Sequence, residues 1–162
     1  MILNDVGPEI DPVGADRIRG YAGRLPPVKS WPEAVAQLRT VFGAAWPGLS
    51  DESWHRLARR SFREDASGTP VADVDPRVGD AMRASTASTP DLWPLYGTLG
   101  AMPVLAIRGA LSDILSEPVF ARMQREKPDM VALTVANRGH VPLLDEPECV
   151  DAIDRFLGGL RY

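Results

Sequence analysis

Val104-Leu105-Ala106-Ile107-Arg108-Gly109-Ala110-Leu111-Ser112-Asp113 opens on four aliphatic residues in a row and then turns polar. A short continuous apolar run of this kind predicts a strand covered on both faces within a parallel sheet. Ser116-Glu117-Pro118 next predicts a helix start, with Val119, Phe120 and Met123 on its buried side. Met130 to Val135 predicts a second strand, and Asn137 to Pro147 a loop leading into a last helix. In that helix Val150, Ile153, Phe156, Leu157 and Leu160 are expected to face inward, with Asp145 as the cap and Arg161-Tyr162 frayed. Strand, helix, strand, helix is the order of an α/β layer with parallel strands and right-handed crossovers.

Upstream, Met1 to Val6 reads as the end of a buried strand, broken by Gly7 and Pro8. A short turn of helix is expected around Ala15 to Tyr21. Ser30-Trp31-Pro32-Glu33 has the Ser-x-x-Glu spacing of a capping box, and Ala34, Val35, Leu38, Val41 and Phe42 follow at helical spacing. Ser50 starts another helix, with Trp54, Leu57, Ala58 and Phe62 on one stripe and Arg56, Arg59, Arg60 and Arg63 on a wet face. Glu64 to Pro76 reads as polar turns, Asp75-Pro76 as the start of a short helix through Met82, and Ala84 to Pro90 as a loop. Asp91 to Tyr96 reads as a one-turn apolar helix or ledge.

The composition bounds the function. With 162 residues, 44% hydrophobic and 25% charged, the chain can bury a core, which excludes a disordered tail or a fibre. No apolar run approaches the roughly 18 to 20 residues of a membrane span. The net charge is −4, and 16 Arg and 2 Lys are scattered among acids, so nucleic acid is not an expected partner. A single cysteine, Cys149, excludes an internal disulfide framework and a cysteine-rich zinc site. The first residues lack the pattern of a signal peptide, so the expected compartment is the cytoplasm.

Two loops follow the two strands, and in open parallel sheets the strand ends are where catalytic groups gather. Arg108-Gly109 with Ser112-Asp113, and Asn137-Arg138-Gly139-His140 with Pro142-Leu143-Leu144-Asp145-Glu146-Pro147, resemble the α/β-hydrolase family, in which an acid loop of the form RGxxSDxLS precedes a histidine loop of the form GxGHxPxLDEP. The two patterns stand in the family's order, 27 residues apart. Ile2-Leu3-Asn4-Asp5-Val6-Gly7-Pro8 likewise resembles the family's strand leading into the cap. The resemblance covers the whole chain and implies a partial α/β-hydrolase fold: a core strand remnant at 1–8, an inserted helical cap at 9–90, and the C-terminal part of the core at 91–162. It departs from the family in two respects: no Gly-x-Ser-x-Gly nucleophile elbow occurs in the sequence, and the family's upstream strand loop that supplies an oxyanion N–H has no counterpart in it.

The resemblance implies that His140 is the general base and Asp113 the carboxylate that holds its tautomer, with the serine supplied by an N-terminal half. Asp145 is the other carboxylate near the histidine loop; its place before Glu146-Pro147 suits a helix cap. Ser112 is expected to hydrogen-bond its own loop rather than act as nucleophile. His55 is expected on a solvated helix face, Trp31, Trp46, Trp54 and Trp93 in packing, and Cys149 as a small packed residue. No metal site and no cofactor are expected, since this chemistry uses side chains and water. The implied activity is hydrolysis of an ester-type or related small carbonyl substrate once the N-terminal half is present. The alternative is a non-catalytic, truncated hydrolase-like protein that acts by association. Because half the sheet is absent on this reading, the chain alone is expected to be marginally stable, complemented by a further fragment, or a homo-oligomer through an exposed sheet edge.

Overall fold

The computed structural model describes residues 1–84 and 90–160. The loop expected between Ala84 and Pro90 and the frayed Arg161-Tyr162 therefore lie largely outside the described residues. In chain order the elements are β1 (Ile2–Asn4), α1 (Pro12–Tyr21), α2 (Trp31–Phe42), α3 (Asp51–Ser61), β2 (Phe62–Glu64), β3 (Pro70–Ala72) and α4 (Pro76–Ala84). They continue as α5 (Trp93–Gly97), β4 (Leu105–Gly109), α6 (Glu117–Glu126), β5 (Val131–Val135) and α7 (Pro147–Gly158). The chain divides into two compact units, Met1–Ala15 with Thr89–Tyr162, and Asp16–Ser88.

The first unit holds a parallel sheet of order β1-β4-β5. Asn4 is in register with Ile107, and Gly109 with Val135. All five residues of β4 are buried, as its unbroken apolar run requires of a central strand. Successive side chains point to opposite faces. Val104 and Ala106 pack with Leu115, Phe120 and Met123 on the α6 side, while Leu105 and Ile107 pack with Val135, Cys149 and Phe156 on the α7 side. Burying each large aliphatic of this kind contributes about 1.5–3 kcal/mol. Ser116 caps α6 by accepting the N–H of Val119, as its sequence implies.

The last helix differs from expectation in two ways. Cys149 and Phe156 are its buried residues, whereas Val150 and Leu157 are 45% and 50% exposed. One residue of helix is a rotation of 100°, so Val150 falls off the face that Cys149 occupies. The residue at the helix N-cap is Glu146, not Asp145, and no side chain caps the end. The Glu146 carboxylate is used elsewhere, as described below.

In the second unit, Ser30 accepts the Glu33 N–H at 3.4 Å, and the Glu33 carboxylate reaches back to the N–H of Lys29 at 2.8 Å. The capping box thus forms with its return bond shifted by one residue. Ser50 accepts the Ser53 N–H at the start of α3. Ala34, Val35 and Leu38 from α2 and Trp54 and Ala58 from α3 are buried. Trp46 stacks between Phe42 and Trp54, with ring centroids 5.1 and 5.7 Å away, and Arg59 lies 3.6 Å over the Trp31 ring. His55 is exposed, as are Arg56, Arg59, Arg60 and Arg63.

Residues 62–72, expected as turns from Glu64 on, form an antiparallel hairpin of β2 and β3. Its turn is held by Asp65, whose Oδ1 accepts the N–H groups of Ser67 and Thr69, with Gly68 at φ +82°. Strands of three residues are too short for alternation to register in a sequence, and the turn residues dominate the reading.

Candidate active site

Asp5 lies one residue beyond β1, where its N–H still reaches the carbonyl of Ile107 at 2.7 Å. Its φ of +56° is left-handed, a conformation that aspartate tolerates better than most residues, and it turns the side chain over the end of the sheet. The carboxylate is fully buried. Such a group requires donors, and three converge on it. Oδ1 accepts the Gly109 N–H at 2.8 Å; Oδ2 accepts the Ser112 hydroxyl at 2.6 Å and pairs with His140 Nδ1 at 2.9 Å.

With the carboxylate already the acceptor from Gly109 and Ser112, the Nδ1 hydrogen is assigned to the imidazole and donated to Asp5. That tautomer leaves the lone pair on Nε2, the atom a general base would use. The His140 side chain is 20% exposed and its partner 0%, so one end of the pair is fixed in the interior and the other meets solvent.

The loop carrying His140 is fastened along its length. Ala110 N–H donates to the Val135 carbonyl at 2.9 Å and Leu111 N–H to the Arg138 carbonyl at 2.8 Å. Gly109 permits this approach: a Cβ there would lie 2.5 Å from the Arg138 oxygen and 2.6 Å from that of Gly139. Arg138 Nε donates to Glu146 at 2.6 Å, and the same carboxylate oxygen accepts the Leu143 N–H at 3.2 Å. Burial pushes the Glu146 carboxyl up, but the bonds from Arg138 and the backbone outweigh it and hold the group below the ordinary glutamate value. Finally, Asn4 Nδ2 donates to the Pro142 carbonyl at 3.0 Å.

Of the two residues singled out in the sequence, His140 is at this centre. Asp113 is half-buried in the loop after β4, with its backbone carbonyl packed against Gly14. The hydrogen bond of His140 Nδ1 is to Asp5, which the sequence marks as part of a strand end and not as a chemical group. A signal was present: Asp5 follows the first strand as Asp113 follows the second, and both strand ends open on the same edge of the layer. Ser112 serves its loop, as expected, by accepting the N–H groups of Ile114 at 3.1 Å and Leu115 at 3.0 Å, and it binds Asp5 as well.

Trp93 is packed against Tyr96, with Arg122 3.7 Å over its ring. Cys149 is fully buried, and burial together with the neighbouring Glu146 pushes its thiol up to about 12. Among the described residues no group of three or more His, Cys, Asp or Glu is placed to hold a metal ion, and no helix is long and apolar enough to cross a membrane.

No family model matches the chain. It is 29% identical over 168 residues to the 3-hydroxybutyrate-oligomer hydrolase of Cupriavidus necator, covering 98% of this chain and 56% of that protein. Among solved structures, an α/β hydrolase from Novosphingobium aromaticivorans superposes with a TM-score of 0.89 at 38% identity, over 98% of this chain and 56% of that one. An esterase from Mycobacterium tuberculosis is similar in fold, with a TM-score of 0.67 at 19% identity, over 98% of this chain and 53% of the other. The chain thus spans little more than half the length of the proteins it matches. Over that span its parallel sheet and flanking helices have the α/β-hydrolase fold.

Proposed function

We propose that this chain supplies the base and the acid of an ester-hydrolysing active site, with His140 as general base and Asp5 as the carboxylate that orients it. The observation that carries this reading is the bond from His140 Nδ1 to the fully buried Asp5 carboxylate. A serine hydroxyl is a weak nucleophile at neutral pH and needs an imidazole to take its proton. The imidazole in turn needs a carboxylate to fix its tautomer and balance the charge it gains. The nucleophile and the oxyanion donors come from a segment outside this sequence, which carries no Gly-x-Ser-x-Gly. On this reading Asp5 replaces Asp113 in the acid's role, residues 9–90 form a cap, and no cofactor takes part. An oligomeric hydroxyacid ester is the first substrate to try, given the name of the Cupriavidus relative.

The test joins the chain to the N-terminal part of the Novosphingobium hydrolase and follows hydrolysis of a p-nitrophenyl butyrate ester. Turnover that vanishes in H140A and falls sharply in D5N supports the assignment. Turnover unchanged in H140A refutes it.

A second reading is association without catalysis. Among the described residues β1 pairs only with β4, and its outer side leaves Met1 and Ile2 48% and 36% exposed beside an apolar groove of about 300 Å³ lined by Leu3, Val6, Leu95 and Tyr96. An open strand edge next to an apolar surface favours pairing with a second copy. Sedimentation showing a concentration-independent monomer rules this out.

A further inference from the structure

The Ser112 hydroxyl stands at the crossing of two networks. Its oxygen accepts the N–H groups of Ile114 and Leu115, which occupies both of its lone pairs. Its single hydrogen then has one use, the bond to Asp5 Oδ2. The O···O distance of 2.6 Å is at the short end for a hydroxyl–carboxylate hydrogen bond. The oxygen that receives it is the same one that receives His140 Nδ1. Asp5 is therefore held by the Gly109 N–H on one oxygen and by Ser112 on the other. Together these leave its carboxylate no rotation that keeps both bonds.

We propose that Ser112 is a positioning residue for the His140 base: by fixing the Asp5 carboxylate it selects the Nδ1–H tautomer and keeps Nε2 available for proton abstraction. This rests on the reading of Asp5 and His140 given above. Ser112 itself is no nucleophile, because its lone pairs are spent on the backbone and its hydrogen points into the interior. Two loop amides pre-set the hydroxyl, so the direction of the hydrogen is a property of the loop after β4. That loop thereby communicates its conformation to a histidine on a different loop.

The experiment uses the 162-residue chain and nitrogen-15 and proton NMR of His140 at a pH where the ring is neutral. In the wild type the expected result is a low-field Nδ1 proton, the Nδ1–H tautomer, and a nuclear Overhauser effect between that proton and the Ser112 hydroxyl proton, since both sit on one oxygen. In S112A the low-field signal is lost and the two tautomers mix, with unchanged far-UV circular dichroism. S112T, which keeps the hydroxyl, restores the wild-type pattern. An S112A spectrum identical to wild type overturns the role of Ser112 while leaving Asp5–His140 intact. Absence of the Nδ1 proton in the wild type, with D5N indistinguishable from it, overturns instead the underlying pair. If S112A does not fold, the Overhauser effect in the wild type decides: its presence supports the proposal and its absence sinks it. In the reconstituted enzyme S112A lowers kcat on the order of ten-fold at unchanged KM, a split that general loosening of the fold does not produce.

Discussion

His140 and Asp5 are 135 residues apart in the chain and 2.9 Å apart in space, Nδ1 to Oδ2. The parallel pairing of β1 with β4 and of β4 with β5 brings three strand ends side by side, and both residues sit on segments that leave those ends. The distance between them is thus set by the sheet, which brings the strand ends together, and by the bonds that fasten the histidine loop over them.

This arrangement separates two carboxylates by experiment. D5N in the reconstituted enzyme is expected to lower kcat/KM by about 10²–10⁴, the usual worth of a correctly poised base. D113N is expected to change it by far less. Steady-state kinetics on the two variants decide, and the reverse ranking returns the acid's role to Asp113.

Gly109 is expected not to tolerate alanine. The added Cβ would meet two carbonyl oxygens of the histidine loop at 2.5 and 2.6 Å, and these are backbone atoms that move only if the loop moves. G109A should lose about 1–3 kcal/mol of stability, the ordinary cost of overpacking, and with it the Asp5–His140 contact. Urea unfolding gives the first quantity and the His140 Nδ1 proton the second.

The Arg138–Glu146 pair should govern the acid limb of stability. Its side chains are 17% and 5% exposed, so R138A leaves a buried carboxylate without its cation, at a cost of about 3–5 kcal/mol. Glu146 titrates below its ordinary value in the folded chain, and the unfolded chain therefore takes up the proton first as pH falls. The stabilisation is complete above the ordinary glutamate range and is lost as pH drops through the folded value. Thermal melts between about pH 3 and about pH 7 should show a shallower acid limb in E146Q than in the wild type.

Cys149 should be inert in the native chain. With its thiol pushed up to about 12 by burial and the Glu146 carboxylate, almost none of it is thiolate near neutrality. A thiol reagent is expected to label it slowly in the folded chain and at once in denaturant. Fast native labelling would contradict the burial.

The sequence by itself determined the layer order, because runs such as Val104 to Ile107 and caps such as Ser30, Ser50 and Ser116 act within a few residues. It also determined that His140 sits on a loop after a strand, since Gly139 and Pro142 mark the turn locally. It did not show the β2–β3 hairpin, whose three-residue strands carry too little period, nor which of Val150 and Cys149 faces the sheet, a matter of one helical step. Above all it could not choose the partner of His140. Asp113 and Asp145 are closer in the chain, and nothing in a linear order ranks Asp5 above them. Only the register of three parallel strands does so, because pairing converts 135 residues of separation into one hydrogen bond.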